Sequence, residues 1–437
     1  MKKGLKVAVA GAGSGHTPGI VLSLLNHDEL DIDEIRLYDI EKERNDDMNI
    51  IINFLIKKDN YKISIMSTED PKEAFEDVDF VFSQIRVGGM KMREMDEKIP
   101  LKYGLIGQET CGLGGFSYAL RSMNGFLDLV EKIHTYAPDC WILNYTNPET
   151  IIAESVRRKY PNLKIINACD MTIGIEDMIC KSFDYDRKNW IPVYYGLNHF
   201  GFYNSIYDKK LNRDVMPEII EKIKSEGLYV DDEEESWAKT WTRYKNLLEY
   251  FPSNLPNNYL EYYLFSEQIV EQSNKDYTRA NEIMDGRLKK IKQTVRKIEN
   301  NKDLNTIDYE SSSHGNYIVD ICASIINNKN ERFMIIVPNK GAIRNFRDDV
   351  VVEIPCYINK NGAEPISLRF DIPDFHKGLM EAQVASEKLL VDAFFENSYQ
   401  KALEAFTLNQ TVPNAKLAKE VLDEFIVVNK GYWPELS

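Results

Sequence analysis

The sequence predicts an α/β fold in two parts, a doubly wound parallel sheet followed by a mixed α+β domain. Two observations lead to this prediction. Six short apolar runs alternate with helical stretches in the first half, and after about residue 192 the alternation gives way to a less regular mixture. Strand–helix alternation is typical of a parallel sheet covered by helices on both faces. We therefore predict one domain over residues 1–192 and a second over residues 193–437.

The predicted strands are short, apolar and bounded by turn residues or charges. In the first half they are Leu5–Ala10, Glu34–Asp39, Lys62–Met66, Asp79–Ile85, Trp141–Tyr145 and Lys164–Ala168. In the second half they are Val193–Gly196, Phe333–Val337 and Val350–Ile354. A long helix is predicted where Met380, Val384, Val391 and Phe394 recur at helical spacing. The acidic run over residues 231–235 predicts a helix start, because carboxylates stabilise the N-terminus of a helix.

Composition and charge narrow the class of protein. The chain has 437 residues, 43% of them hydrophobic and 28% charged, which is typical of a globular protein. Its net charge of −15 disfavours nucleic acid and anionic membranes, and an anionic substrate would need cations in its own site. Six scattered cysteines indicate a reducing compartment. Without a secretory signal or a transmembrane run, we predict a soluble cytoplasmic protein.

A glycine-rich turn follows the first predicted strand and precedes an apolar, helical stretch. Glycines let the backbone turn tightly and approach a pyrophosphate, and the helix N-terminus offers free N–H groups. His16 replaces the third glycine of the usual dinucleotide motif, but Asp39 ends the second strand, where a carboxylate can bind a ribose hydroxyl of NAD. An ordinary glycine turn is the alternative. The predicted cofactor-binding residues are Gly11, Gly13, Ser14, Gly15 and Asp39.

Two candidate metal ligands follow predicted strands in the middle of the chain. Cys169 comes directly after Lys164–Ala168, and His199 lies just beyond another apolar run. A thiolate and an imidazole are good ligands for a divalent metal. On spacing alone, a buried cysteine and a hydrogen-bonded core histidine remain the alternative.

Other polar residues could complete a site. Asn147 lies in a turn at the same predicted sheet edge, and Glu109 lies in a glycine-rich loop. Arg86, Arg93 and Arg279 offer planar guanidinium groups suited to a phosphate. The alternatives are turn chemistry for Asn147, a tight connection for the loop of Glu109, and surface ion pairs for the three arginines.

Several longer strings, taken in order, resemble glycoside hydrolase family 4 across nearly the whole chain. The Cys-Asp-Met form resembles the family's 6-phospho-α-glucosidases, although Thr172 replaces the proline that usually follows. The dinucleotide domain of the family is similar to that of lactate and malate dehydrogenases. The strings that carry the resemblance are residues 85–88, 107–112, 144–148, 169–171, 196–201, 257–260, 277–282 and 411–415.

The resemblance implies NAD and a divalent metal, usually Mn²⁺, held by Cys169 and His199. It implies Asp170 as a general acid and Tyr259 as the base. The predicted substrate-binding residues are Arg93, Asn147, Arg279 and Glu109.

The expected reaction is hydrolysis of a phosphorylated disaccharide such as maltose 6′-phosphate. In the family's chemistry, transient oxidation of the sugar at C3 acidifies the C2 proton, and elimination, addition of water and reduction follow.

Four alternatives remain open on the sequence. Within the family they are a 6-phospho-β-glucosidase and an unphosphorylated α-glycosidase. Outside it they are an NAD-dependent dehydrogenase of 2-hydroxy acids and an NAD(H)-sensing regulator, which the acidic composition opposes. The family resemblance also implies a homodimer or homotetramer.

Overall fold

A computed structural model describes residues 4–228 and 234–437. Within these ranges one mixed sheet contains thirteen strands. In chain order the strands are β1 (Leu5–Ala10), β2 (Ile32–Tyr38), β3 (Ser64–Thr68), β4 (Phe80–Ser83), β5 (Trp141–Asn144), β6 (Ile165–Asn167), β7 (Trp190–Leu197), β8 (Phe200–Asp208), β9 (Arg213–Asp214), β10 (Leu255–Pro256), β11 (Glu331–Pro338), β12 (Val351–Asn359) and β13 (Gly362–Pro365).

Helices cover the sheet. They are α1 (Thr17–Leu25), α2 (Lys42–Asp59), α3 (Pro71–Phe75), α4 (Gly89–Lys102), α5 (Gly112–Tyr136), α6 (Glu149–Lys159), α7 (Met171–Phe183), α8 (Met216–Glu226), α9 (Glu235–Tyr250), α10 (Glu261–Leu264), α11 (Ser266–Gln272), α12 (Arg279–Ile283), α13 (Lys289–Glu299), α14 (Ser313–Ile326), α15 (Asp374–Glu396), α16 (Tyr399–Leu408) and α17 (Ala415–Val428). A π-helical turn over Met284–Leu288 joins α12 to α13, and short 3₁₀ turns include Asn258–Leu260.

The first six strands form the parallel half of the sheet, in the order β3-β2-β1-β4-β5-β6. This is the strand order of the Rossmann fold, so the predicted α/β class is confirmed. From β6 the sheet continues through antiparallel neighbours, β11, β12, β7, β8 and β10. Because β7 contains residues 192 and 193, the predicted division there falls within a strand, and it remains a prediction.

The core lies on both faces of the sheet. Along β1, Val7 and Val9 face a cluster that includes α1, α2 and α14, whereas Ala8 and Ala10 face a cluster that includes α5, α6 and α15–α17. Burial on both faces explains why the parallel strands read as continuous apolar runs.

All nine predicted strands correspond to strands of the sheet, with boundaries shifted by a few residues. The predicted helix around Met380 is α15, in which Met380, Val384 and Val391 are buried and Phe394 is partly buried. Strand β8 was not predicted. Glycine is required at Gly201 of this strand, because a Cβ atom there would lie 2.3 Å from the Tyr194 hydroxyl oxygen. This glycine interrupts the apolar pattern that indicates a strand.

The acidic run extends into the start of α9. Glu234 caps that helix and Glu235 begins it, in line with the predicted helix start. Residues 231–233 of the run lie outside the described residues. Among the described helices, none has both the length and the apolar character to span a bilayer.

Candidate active site

The glycine turn after β1 packs tightly against neighbouring strand ends. Gly11 has a φ of +81°, and a Cβ atom there would lie 2.9 Å from the backbone of Gln84. The Gly13 N–H donates to Asp39 Oδ2 at 2.8 Å, which ties the turn to the end of β2. Only glycine fits these positions, and the backbone is therefore free to approach a ligand closely, as a dinucleotide requires.

A cavity of about 800 Å³ opens beside this turn. It extends from Gly11 and Asp39 to Arg93, Asn147 and His314. Of the predicted cofactor-binding residues, Gly11, Ser14, Gly15 and Asp39 line it, and Gly13 is hydrogen-bonded to Asp39. The volume suits a cofactor-sized ligand.

Cys169 and His199 come together although they lie 30 residues apart in the chain. Cys169 Sγ lies 3.4 Å from His199 Nε2, and both side chains are buried. Cys169 follows β6, and His199 lies in the turn between β7 and β8 with a left-handed φ of +60°. A non-glycine residue with such a φ is uncommon and occurs more often at functional sites.

Without a metal, burial favours the uncharged form of both side chains. Burial, with a smaller contribution from Asp170, raises the pKa of the Cys169 thiol well above its usual value. Burial lowers the pKa of His199 to about 4, against the opposing influence of Glu109 and Asp170. A neutral imidazole is ready to bind a metal, whereas the thiol must lose its proton as the metal binds.

The donor set suits a catalytic metal rather than a structural one. Among residues 4–228 and 234–437, no third Cys, His, Asp or Glu joins this pair to form a protein-only cage. A structural site usually has four protein ligands, whereas a catalytic site leaves positions for substrate or water. One thiol and one imidazole fit a borderline divalent ion with open positions.

Tyr259 stacks on His199, with ring centroids 4.3 Å apart. The side chain of Asn257 accepts a hydrogen bond from the Tyr259 N–H at 3.0 Å and so holds the 3₁₀ turn that carries the tyrosine. Burial, and then Tyr262, raise the pKa of Tyr259 well above its usual value. Deprotonation of this phenol therefore requires a cation close to it.

Asp170 is the N-cap residue of α7 and pairs with a residue that sequence analysis missed. Its Oδ2 lies 2.9 Å from Nδ1 of His314. Burial raises the pKa of Asp170, but the opposing effect of His314 is larger, so the pKa lies below its ordinary value. The side chain of Asp170 is 36% exposed. No local pattern around His314 predicts this pairing, because 144 residues separate the two partners.

Glu109 lies between two arginines. Arg86 Nη1 lies 2.7 Å from Glu109 Oε2, and Arg93 Nη2 lies 3.0 Å from Glu109 Oε1. Burial raises the pKa of Glu109, but Arg86 and Arg93 outweigh it and lower that pKa. Arg93 also donates to Glu97, whose other oxygen accepts from the Ala280 N–H at 2.8 Å. Arg93 is therefore fixed between two carboxylates, one of which it shares with Arg86.

Arg279 is not paired with Arg93 or Glu109. It makes ion pairs with Glu234 and, at 2.9 Å, with Glu282. Glu234 also binds Arg287, which lines the cavity. Asn147 does line the cavity, and its buried Oδ1 has no hydrogen-bond partner among the described residues.

The predicted site residues thus form three groups. Cys169, His199 and Tyr259 are in contact, Arg93 and Glu109 are ion-paired, and Arg279 belongs to a separate cluster. As far as the described residues form the cavity wall, Cys169, His199 and Tyr259 are not part of it. Asp170 connects them to the wall, because it follows Cys169 and binds the wall residue His314.

Two sequence profiles match this chain. "Family 4 glycosyl hydrolase" matches residues 6–185, and "Family 4 glycosyl hydrolase C-terminal domain" matches residues 194–412. The chain belongs to glycoside hydrolase family 4. The family expected from the sequence is confirmed.

Three members of the family illustrate its relationships. A maltose-6'-phosphate glucosidase of Clostridium acetobutylicum is 48% identical, and the match covers 100% of both chains. A solved 6-phospho-α-glucosidase from gut microorganisms, in complex with NAD and Mn²⁺, is 41% identical with a TM-score of 0.96 over 100% of both chains. A probable 6-phospho-β-glucosidase of Bacillus subtilis is 31% identical over 100% of this chain and 98% of its own.

Proposed function

We propose that this family 4 enzyme hydrolyses 6-phospho-α-glucosides, such as maltose 6′-phosphate, to glucose 6-phosphate and the released sugar. The observation that carries the proposal is the Cys169–His199 contact, with Tyr259 stacked on the imidazole, next to a dinucleotide-sized cavity. A relative that is 48% identical over both full chains is named a maltose-6'-phosphate glucosidase.

NAD and Mn²⁺ are the cofactors of this reaction. When bound, NAD accepts and returns a hydride, and the metal acts as a Lewis acid on oxygens of the sugar. Gly11, Ser14, Gly15 and Asp39 line the wall that would hold the dinucleotide, and Cys169 and His199 would hold the metal. A matching solved structure is described as a complex with both cofactors.

The chain's own residues take the remaining roles. We assign Tyr259 as the base that removes the proton at C2, because its ring lies against the imidazole that would bind the metal. Asp170 supplies the acid function at the leaving oxygen, together with its partner His314. Both roles depend on correct orientation of the side chain towards the sugar. The contact with His199 restricts Tyr259, and the contact with His314 restricts Asp170.

Substrate binding is assigned to the polar end of the cavity. The unpartnered Oδ1 of Asn147 can accept a hydrogen bond from a sugar hydroxyl, and we assign Arg93, which lines the same cavity, to the phosphate. The ion pair between Arg279 and Glu234 has to break before Arg279 can bind the phosphate together with Arg93. Glu109 holds Arg86 and Arg93 in place. We therefore assign it the role of orienting these arginines, rather than direct contact with the sugar.

The α-anomeric preference is supported by the difference between relatives. The 6-phospho-β-glucosidase relative is 31% identical and the maltose-6'-phosphate relative is 48% identical, both over the full chain. The 2-hydroxy acid dehydrogenase alternative does not account for the Cys169–His199 pair, since hydride transfer to NAD needs no metal of this kind.

An activity panel tests the proposed function. Nitrophenyl α- and β-glucoside 6-phosphates and their unphosphorylated counterparts are incubated with and without NAD⁺ and Mn²⁺, under reducing conditions. We expect hydrolysis of the phosphorylated α-substrate only when both cofactors are present, with no net formation of NADH. Net NADH formation without nitrophenol release would instead identify a dehydrogenase.

Compartment and assembly are part of the proposal. All six cysteines are free, as expected in the reducing cytoplasm. We propose a homodimer or homotetramer that binds neither nucleic acid nor membrane. Light scattering at several concentrations measures the assembly, and a monomer would contradict it.

A further inference from the structure

The end of the cavity beyond Asp39 has no role in the assignments above. Its wall includes the apolar or aromatic side chains of Ile40, Val87, Leu129 and Tyr432. Ile40 is 77% exposed and Tyr432 is 37% exposed. Large apolar side chains that stay open on a cavity wall commonly mark the place where an apolar part of a ligand binds.

Contacts on α5 bring Tyr432 close to Val87. Asn124 Nδ2 donates to the Tyr432 carbonyl oxygen at 3.3 Å. The next residue, Gly125, lines the cavity, and a Cβ atom there would lie 2.5 Å from Val87 Cγ2. Helix α5 therefore packs tightly on the loop that follows β4, and Tyr432 lies beside this contact.

The turn after β2 brings Ile40 to the same place. Asp39 Oδ1 accepts from the Glu41 N–H at 2.9 Å, so Ile40 lies in a turn whose two flanking residues are hydrogen-bonded to each other. Glu41 Oε1 lies 3.7 Å from the position that a Cβ atom would take at Gly89, which is two residues beyond Val87. The exposed side chains of Ile40 and Tyr432 thus belong to one part of the cavity.

Tyr432 lies in a C-terminal segment that is fixed on α5. Trp433 Nε1 donates to the Ser117 carbonyl oxygen at 3.1 Å, and Asn429 Nδ2 donates to Ser117 Oγ at 3.2 Å. The Tyr432 N–H donates to the Asn429 carbonyl oxygen at 2.9 Å. These contacts use the backbone of Tyr432 and not its ring. The segment also lies beyond residues 194–412, which the profile of the C-terminal domain matches.

The charged side chains at this end of the cavity are already engaged within the chain. Lys132 Nζ lies 2.6 Å from Asp128 Oδ2, and Arg44 Nη2 donates to the Gly13 carbonyl oxygen at 2.9 Å. A charged group of a ligand would have to compete for these partners, whereas an uncharged group would not. The surroundings therefore suit an uncharged, planar group with apolar faces.

We propose that Ile40 and Tyr432 bind the adenine ring of NAD, so that a residue of the C-terminal segment takes part in cofactor binding. This inference rests on the proposed NAD-dependent function and deepens it. When Asp39 binds the ribose 2′-hydroxyl, the adenine is attached to the adjacent C1′ atom and has to lie near the residue that follows Asp39. The faces of a purine stack on aromatic and aliphatic side chains.

Removal of the Tyr432 ring tests the proposal. Tyr432→Ala should raise the Kd for NAD⁺ and for ADP-ribose by about 5- to 20-fold, because both ligands contain the adenine. Isothermal titration calorimetry with the nucleotide-free, full-length protein measures both values. Tyr432→Phe keeps the ring and should bind both ligands like the wild type. At saturating NAD⁺, the KM for maltose 6′-phosphate should be unchanged in both variants.

A matched control and a second variant separate binding from folding. Tyr250→Ala removes a 66% exposed ring at the end of α9 and should leave both Kd values unchanged. Ile40→Ser changes the other proposed contact and should raise the Kd for NAD⁺ about two- to five-fold. If Tyr432→Ala does not fold, Tyr432→Leu, which keeps apolar bulk without the aromatic ring, is compared with Tyr432→Phe.

The outcomes are distinguishable. Wild-type affinity for NAD⁺ in Tyr432→Ala, or an equal loss of affinity in Tyr432→Phe, would overturn the role of the ring and leave the proposed function standing. A rise in the KM for maltose 6′-phosphate together with the Kd for NAD⁺ would show a structural defect and would also overturn it. If the wild-type protein binds neither NAD⁺ nor ADP-ribose, the proposed function itself fails.

Discussion

The proposed metal end and the proposed phosphate end of the site are built in opposite ways. At the metal end, Cys169 and His199 are buried, uncharged and carried by strand ends of the sheet. At the phosphate end, Arg93 and Arg279 lie on helices α4 and α12, and carboxylates already engage both. One end offers two neutral donors to a metal, and the other has its charges paired within the chain.

The difference shows how an acidic protein can prepare for two kinds of ligand. At the metal end the His199 imidazole is already neutral and only the Cys169 thiol gives up a proton when a cation binds, so this end carries no buried charge beforehand. An anion needs buried cations, which are costly unless paired. Glu97, Glu109 and Glu234 provide this pairing. A phosphate therefore has to compete with carboxylates, whereas a metal displaces only the proton of the Cys169 thiol.

Loss of a metal ligand should have the largest effect. Cys169→Ser or His199→Ala should lower kcat at least about 1000-fold, because the Lewis acid contributes several kcal/mol to the transition state. Bound manganese is measured by atomic emission, and chelation of the wild type should reproduce the loss. Cys180→Ser, a partly buried thiol on α7, is the matched control. Unimpaired hydrolysis by metal-stripped Cys169→Ser would rule out the metal assignment.

Removal of the proposed base comes next. Tyr259→Phe should keep NAD⁺ binding but slow both turnover and exchange of the C2 proton with solvent by roughly 100- to 10,000-fold. Deuterium uptake at C2, followed by NMR, measures the exchange. Tyr262→Phe changes a neighbouring ring 5.6 Å away and should have little effect. Wild-type exchange in the Tyr259 variant would remove this residue from the mechanism.

At the phosphate end we expect an intermediate effect on binding. Arg93→Lys keeps the charge but loses the planar fork, so KM for the phosphorylated substrate should rise about 10- to 100-fold with a small change in kcat. Arg158→Lys changes an arginine paired with Glu154 elsewhere and serves as control. A fall in kcat with constant KM would argue against a phosphate role.

The smallest effect should come from Glu234. Glu234→Gln removes a carboxylate that holds Arg279 and Arg287, so KM for the phosphorylated substrate should fall about two- to five-fold. Glu235→Gln, which changes an exposed residue paired with Lys239, should leave KM unchanged. A higher KM in the Glu234 variant would mean that this carboxylate orients the arginines rather than competing with phosphate.

Much of the nucleotide half could be predicted from the sequence. The turn at Gly11 and the acid at Asp39 are recognisable because strand, turn and helix follow one another locally, and the parallel pairing of β1 with β2 then brings them together. The strands lengthen or shorten by a few residues at their ends, where backbone pairing with neighbours decides the limit. Strands β11 and β12 were predicted, but no local pattern indicates that they extend the sheet beyond β6.

The active residues were predictable mainly where they follow strands. Cys169 and His199 each follow an apolar run, so a shared sheet edge was a reasonable expectation. The pairing of Glu109 with Arg86 and Arg93, and that of Arg279 with Glu234, depends on how helices and loops pack. His314 had no sequence signal, because its partner Asp170 is 144 residues away.

The sequence by itself determined the α/β class, the dinucleotide turn and the family, because these depend on local periodicity and on strings of neighbouring residues. Only the tertiary structure decided which charges are paired and which polar atoms stay without a partner. Those properties arise when helices from distant parts of the chain pack over one sheet. At such a packing contact, a single side chain such as His314 can gain its surroundings from several elements at once.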